Sequence, residues 1–326
     1  MARLDPAELK RGVMVAVATP NDGANLAGAV SALRELAARA VDEGSPEAKK
    51  VYCELKYDLL YGIQDEASYR MRTWLAGTTD DIDDREVTLR KLDRRLAPDE
   101  LRQVLMKRQN ELTPLDHPVF KHLQSGKCTF DQFKEYLRQK FLIMTTFWRC
   151  IAELGMRMSR FPGKDGLALP TPLFKNVYDE LGEGDVNQSH LVRHLAHLDH
   201  LNLGLTLDSK PEFTETKAYL NFRLRCMRHQ EAAWGLGSFF SQEATSLEYT
   251  ILHYHLLKKF GVSHQKAEIY EAHEPIDTDH CKDILDLIEV AVKTPEQQAI
   301  CIAAHEQQLS LWMKHFDVVA QRLGIS

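Results

Sequence analysis

At 326 residues the chain is long enough for one large domain or two of ordinary size, with a substantial core and no need of covalent staples. Hydrophobic residues make up 44% and charged residues 27%, and a net charge of -6 with a pI near 6.2 leaves no basic footprint for nucleic acid. The six cysteines form no Cys-x-x-Cys pair and no apolar run reaches the roughly 18 residues of a membrane span, so buried thiols, a cytoplasmic setting and no nucleic-acid or membrane partner are expected.

Near the N-terminus, the apolar run Gly12 to Ala18 follows Lys10 and Arg11 but is too short for a signal peptide, and Asp5 and Glu8 spoil a positive leading region. Leu26, Ala29, Val30, Leu33, Leu36, Ala37, Ala40 and Val41 follow helical spacing. Gly44 ends that helix, and Ser45-Pro46-Glu47 starts the next with an N-cap, a first-turn proline and an acid. The second helix is expected to run to about Ala76, where Gly77-Thr78-Thr79 breaks it. The acids Asp80, Asp81, Asp83 and Asp84 then suit the positive start of a third. Nothing in residues 1–96 converges on chemistry, so they read as a helical extension that packs or dimerises, and a homodimer is expected.

A shift in composition at Ala97-Pro98 opens a second region, 97–326. Thr129 and Gln132 form a capping box ahead of a long helix that ends before Phe161-Pro162-Gly163 and carries Glu153, with the small Thr146 and Cys150 on the same side. Alone, such a glutamate is usually solvated. Further on, Glu180 and His190 are ten apart, about 80° in azimuth on a straight helix, so a bend is needed to join them; Gly182 and Gly184 permit one. On a straight helix Glu183 would serve instead. His194, His197 and His200 continue the stripe of His190 and read as core-edge residues. Glu243 lies on an apolar stripe with Leu236, Phe239, Phe240 and Leu247, where an unpaired carboxylate would be costly; a salt bridge within the bundle is the plain alternative, and Glu248 the alternate acid.

His273, Asp277 and His280 are spaced by four and three, so on a helix two imidazoles and a carboxylate share a stripe. Such a set suits iron better than calcium or magnesium. Pro275 places the helix start near these residues, and a polar first turn rich in acids is the competing reading. Two helices follow, from Cys281 to Val292 and from Pro295 to about Leu323. No run alternates with the period of a strand, and no glycine-rich nucleotide loop or Gly-x-Ser-x-Gly elbow is present.

Glu153, Glu180, His190, Glu243, His273, Asp277 and His280 together supply four carboxylates and three imidazoles from four helical segments, the inventory of a carboxylate-bridged dimetal site in a helical bundle. Their order resembles that of the haem-oxygenase-like diiron oxidases and oxygenases: Glu, then Asp-Glu-Leu-Gly-x-Gly with His ten after its Glu, then Glu, then His-x3-Asp-x2-His. The third histidine and the N-terminal extension are similar to the N-oxygenating branch that includes enzymes of streptozotocin and azomycin biosynthesis. The resemblance implies an all-α, haem-oxygenase-like seven-helix bundle binding two ferrous ions through those seven residues. It implies dioxygen as co-substrate, a reductase or small reductant, and N-oxygenation of an amine, guanidine or aminoimidazole nitrogen in natural-product biosynthesis. An oxidase that fragments an aliphatic acid or amino acid to an alkene is the alternative within the family. A metal-free helical interaction protein is the alternative from another class, and it leaves Glu243 unexplained.

Overall fold

A computed structural model describes residues 4–18, 23–62, 66–262 and 280–325, apart from the side chains of residues 23–24, 66–67 and 247–248. Among the described residues there are helices and no strand, as the all-α expectation has it. They fall into two compact units: residues 1–88 with 220–225, and residues 89–219 with 226–326.

The first unit holds α1 (Pro6–Ala18), α2 (Gly23–Val41), α3 (Pro46–Tyr61), α4 (Glu66–Gly77) and the short α5 (Asp80–Asp83). The Ser45 side chain accepts from the Ala48 amide with Pro46 in the first turn, so the start of α3 is the one its residues specify. The expected single helix from Pro46 to Ala76 is instead two. Gly62 ends α3, its amide making the last helical bond to the Asp58 carbonyl at 3.0 Å, and Arg72 donates to the same carbonyl at 2.8 Å. In the core of this unit the buried Lys56 donates to Ala76 O (2.6 Å), Thr79 (2.9 Å) and Asp83 (2.8 Å), while Tyr52 donates to Asp83 (2.6 Å). A buried ammonium and carboxylate are tolerated there because each is hydrogen-bonded.

The second unit contains α6 (Pro98–Glu111), α7 (Pro118–Gln124), α8 (Phe130–Met144), α9 (Phe147–Met158), α10 (Asp165–Ala168), α11 (Pro170–Glu180) and α12 (His190–Asp199). It also holds the ends of α13 (Thr214–Arg228), then α14 (Ala232–Lys259), the helical residues 280–291 (α15) and α16 (Pro295–Leu323). The capping box of Thr129 and Gln132 starts α8 as expected. The long helix it was expected to open breaks at Thr145-Thr146 into α8 and α9. Thr145 Oγ1 turns back to the Leu142 carbonyl at 3.4 Å, a side-chain bond that competes with the helical one and bends helices.

Two glycines set the depth at which α14 packs. A Cβ on Gly237 would lie 2.1 Å from the Cys301 carbonyl oxygen of α16, and one on Gly235 would lie 2.6 Å from Leu154 Cδ1 of α9. On α9, Gly155 lets Phe174 of α11 approach to 3.0 Å of the same imagined atom. Helices α9, α11, α14 and α16 are thereby drawn together, and the aromatic rings of Phe120, Tyr249, Trp312 and Phe316 fill the core beside α14 and α16 with centroid separations of 4.8 to 5.3 Å along Phe316–Phe120–Tyr249–Trp312.

Candidate metal centre

The bend between Glu180 and His190 is built from three consecutive left-handed residues. After α11 ends at Glu180, Gly182 (φ 80°), Glu183 (φ 54°) and Gly184 (φ 97°) reverse the chain. Gly182 is the tightest of these: a Cβ there would meet Asp185 O at 2.3 Å and Ser189 N at 2.4 Å. Asp185 then accepts from the Asn187 amide, Ser189 caps α12, and His190 opens that helix with Nδ1 3.1 Å from Glu180 Oε1. Glu183, the straight-helix alternative, is exposed, and its carbonyl is held by the Tyr178 hydroxyl at 2.6 Å.

A second group forms where α11 and α14 meet the start of α15. Glu243 is 3% exposed, with Leu236, Phe239 and Phe240 fully buried beside it along α14. Asn176, one turn before Glu180, donates from Nδ2 to Glu243 Oε1 at 3.3 Å. The other carboxylate oxygen, Oε2, lies 3.7 Å from Nδ1 of the buried His280, and the opposite face of that ring, Nε2, lies 3.6 Å from Asp179 Oδ2. One helix, α11, therefore brings Asn176, Asp179 and Glu180 to bear on three other elements. Residues three and four apart on a helix share a face, which is how it does so.

Glu153 is on α9, which packs on α11 and α14, and Arg228 Nε approaches its Oε1 to 3.9 Å. His194 and His197 are buried on α12, whereas His200 stands exposed at its C-cap. His273 and Asp277 lie outside the described residues, as does the side chain of Glu248. Among the described residues no group of three or more His, Cys, Asp or Glu side chains is arranged to hold a metal ion. Of the expected set, Glu153, Glu180, His190, Glu243 and His280 are described: Glu180 pairs with His190, Glu243 faces His280, whose other nitrogen faces the unexpected Asp179, and Glu153 is approached by Arg228.

The donor chemistry of these residues fits iron. Carboxylates beside imidazoles form a mixed oxygen and nitrogen donor set that first-row transition metals accept and that calcium or magnesium sites, built from oxygen alone, do not use. The orphaned Oδ1 of buried Asn176, which has no hydrogen-bond partner among the described residues, adds a polar atom at the same place. Asp179 and Asn176 were not legible as site residues in the sequence. An acid or amide on a helix acquires meaning only from the helix packed against it, and the single available signal was their spacing of one and four residues from Glu180.

A family model described as "iron-containing redox enzyme" matches residues 134–313. A search of curated proteins finds no match. Among solved structures, a CADD-like protein of unknown function from Nostoc punctiforme PCC 73102 superposes with a TM-score of 0.55 at 17% identity, over 70% of this chain and 99% of that one. A domain of unknown function with a haem-oxygenase-like fold from Shewanella denitrificans OS217 gives a TM-score of 0.55 at 17% identity, over 70% of this chain and 93% of that one. At such identities the likeness establishes the haem-oxygenase-like fold. No helix among the described residues is long and apolar enough to cross a membrane.

Proposed function

Since the chain belongs to the family of iron-containing redox enzymes, we propose that it is a non-haem diiron oxygenase that uses dioxygen to oxidise the nitrogen of an amine, guanidine or aminoimidazole substrate to a hydroxylamine or nitro group. The observation that supports this reading best is the burial of Glu243 beside His280, with Glu180 and His190 on the same helix pair as Asn176 and Asp179. A carboxylate withdrawn from water to this extent is paired, protonated or bound to metal. Two ferrous ions, when bound, would supply the electrons that dioxygen needs and the site at which its oxygen is made reactive.

Glu180, His190, Glu243 and His280 would hold the ions, with Glu153, His273 and Asp277 completing the set. Imidazoles and carboxylates in that ratio leave the two divalent charges largely neutralised within the bundle. Asn176 fixes one oxygen of Glu243 and so leaves the other free to turn toward a ligand. The fully buried Phe239 and Phe240 line the same helix and would exclude water from the site, which guards reactive oxygen species from wasteful reduction. An external reductant would return the ions to the ferrous state between turnovers.

Anaerobic titration of the metal-free protein with ferrous iron tests the reading. About two irons per chain should bind, as in carboxylate-rich helical bundles generally. Exposure to oxygen should then give a transient visible absorption, and incubation with amines should give products heavier by oxygen. Failure to take up iron would sink the assignment outright. An alkene from an aliphatic acid, with no oxygenated amine, would replace N-oxygenation by oxidative fragmentation.

A further inference from the structure

We infer that Asp179 is the carboxylate that holds the ring of His280 in place, so that its Nδ1 is the nitrogen offered to metal beside Glu243. This rests on the iron reading for its purpose, though not for its geometry. His280 is 6% exposed and stands between two acids, Glu243 Oε2 on the Nδ1 side at 3.7 Å and Asp179 Oδ2 on the Nε2 side at 3.6 Å. Both distances are a little longer than a hydrogen bond, so the ring is bracketed rather than locked to either partner. A histidine that binds a metal does so through one nitrogen and commonly gives the other N–H to a carboxylate, which sets its tautomer and orientation.

Which acid plays which part is decided by what else holds them. Glu243 has its Oε1 occupied by the Asn176 amide, is buried in an apolar stripe, and has only Oε2 left for the ring side. Asp179 is partly buried, its side chain 19% exposed against 2% for Glu243, and it meets the ring at the nitrogen away from Glu243. Glu243 and Nδ1 face one another on the side of the prospective ligands, which leaves Asp179, across the ring, as the acceptor for Nε2–H. Asp179 is therefore a positioning residue, acting on the metal through His280. The turn of α11 that carries Asp179 also carries Glu180, so the same helix positions one prospective ligand directly and a second at one remove.

The experiment uses full-length protein labelled with 15N-histidine. In the metal-free wild type, at a pH where imidazole is neutral, His280 should be found as the Nε2–H tautomer. In Asp179→Ala that preference should be lost. Affinity for ferrous iron, and for cobalt(II) as a spectroscopic probe, should fall about 10–100-fold with the saturating stoichiometry unchanged, and the cobalt ligand-field bands should shift. Asp179→Asn, whose side-chain carbonyl still accepts from Nε2–H, should recover most of the affinity. Loss of a whole metal equivalent in Asp179→Ala at saturation would overturn the inference by making Asp179 itself a ligand. An Nδ1–H tautomer in the wild type, or unchanged affinity and tautomer in the variant, would overturn it as well. Wild-type protein that binds no metal would instead defeat the iron reading, and the tautomer of its His280 would still decide whether Asp179 holds the ring.

Discussion

Glu243 is kept at a position where the fold would be better served by a neutral side chain. It is 3% exposed, flanked by Leu236, Phe239 and Phe240, and receives one hydrogen bond from Asn176 at 3.3 Å. Glutamine is nearly isosteric and its carbonyl can accept the same bond, so Glu243→Gln removes the buried charge and little else. The variant is expected to be more stable than wild type when metal-free, by about 1 kcal/mol or more, since an ionised carboxylate is costly to desolvate. It should also bind about one iron fewer per chain, because an amide is a poor ligand for this class of metal. Urea unfolding of the two metal-free proteins, paired with iron titration, measures both effects. A variant that is less stable without metal and yet binds iron fully would mean that Glu243 serves the fold as an ordinary bonded acid. An Asn176 substitution would be the wrong probe, because it disturbs Glu243 and leaves a buried acceptor unpaired at once.

At the scale of elements, the α11–α12 connection is the device that turns two distant sequence positions into neighbours. Its left-handed run Gly182-Glu183-Gly184 returns the chain so that His190 meets Glu180 at 3.1 Å. Gly182→Ala would require φ near 80° of a residue with a Cβ, at about 1–2 kcal/mol, and would push that Cβ against Asp185 O, Ser189 N and the Gln188 carbonyl carbon. The turn must open, so the expected result is separation of the Glu180–His190 pair, weaker iron binding, and a loss of stability of a few kcal/mol. Gly184→Ala, where the imagined Cβ meets nothing closer than the Tyr178 hydroxyl at 4.0 Å, should cost less and is the internal control. Equal effects of the two would show that strain alone, rather than the closeness of this turn, matters. This connection was partly legible in the sequence, since a ten-residue separation demanded a bend and the glycines marked where one was affordable in strain. The break at Thr145-Thr146 was not legible, because the apolar pattern of α8 continues in phase into α9 and only the Thr145 side-chain bond reveals the interruption. The break at Gly62 was not legible because a single glycine inside a helical pattern does not by itself mark an end. Nor could Asp179 be told from a solvated acid before α15 was placed beside α11.

For the molecule as a whole, the buried imidazoles of the second unit make stability depend on pH in a defined direction. His305 and His315 are fully buried, and burial, followed by the Arg108 charge for the first and by His117 for the second, pushes each down to about 3 from an ordinary value of 6.5. His253 is pushed well below 6.5 by burial and then by Lys140, while its ring bridges Lys140 at 3.0 Å and Tyr136 at 2.9 Å. Between pH 6.5 and 3 the unfolded chain binds protons at these positions and the native chain does not. Stability therefore rises with pH over that window and is lost as pH falls from 6.5 toward 3. Each histidine contributes a slope of about 1.4 kcal/mol per pH unit once the unfolded form is fully protonated. Acids held low by arginine, such as Asp81 beside Arg34, lose their contribution in the same direction but nearer to their own low titration range. The comparison that separates the two is a variant. In His305→Gln the slope between pH 5.5 and 4.5 should fall by about one proton's worth relative to wild type, leaving the acid-driven part below it unchanged. His305 is the suitable choice because neither ring nitrogen has a hydrogen-bond partner among the described residues, so glutamine breaks no bond and its loss of ring packing against Phe240 is the same at every pH. Urea midpoints taken from pH 8 to pH 4 give both curves, and a constant offset between them, with no change of slope, would show that the interior imidazole is protonated in the native protein as readily as in the unfolded one.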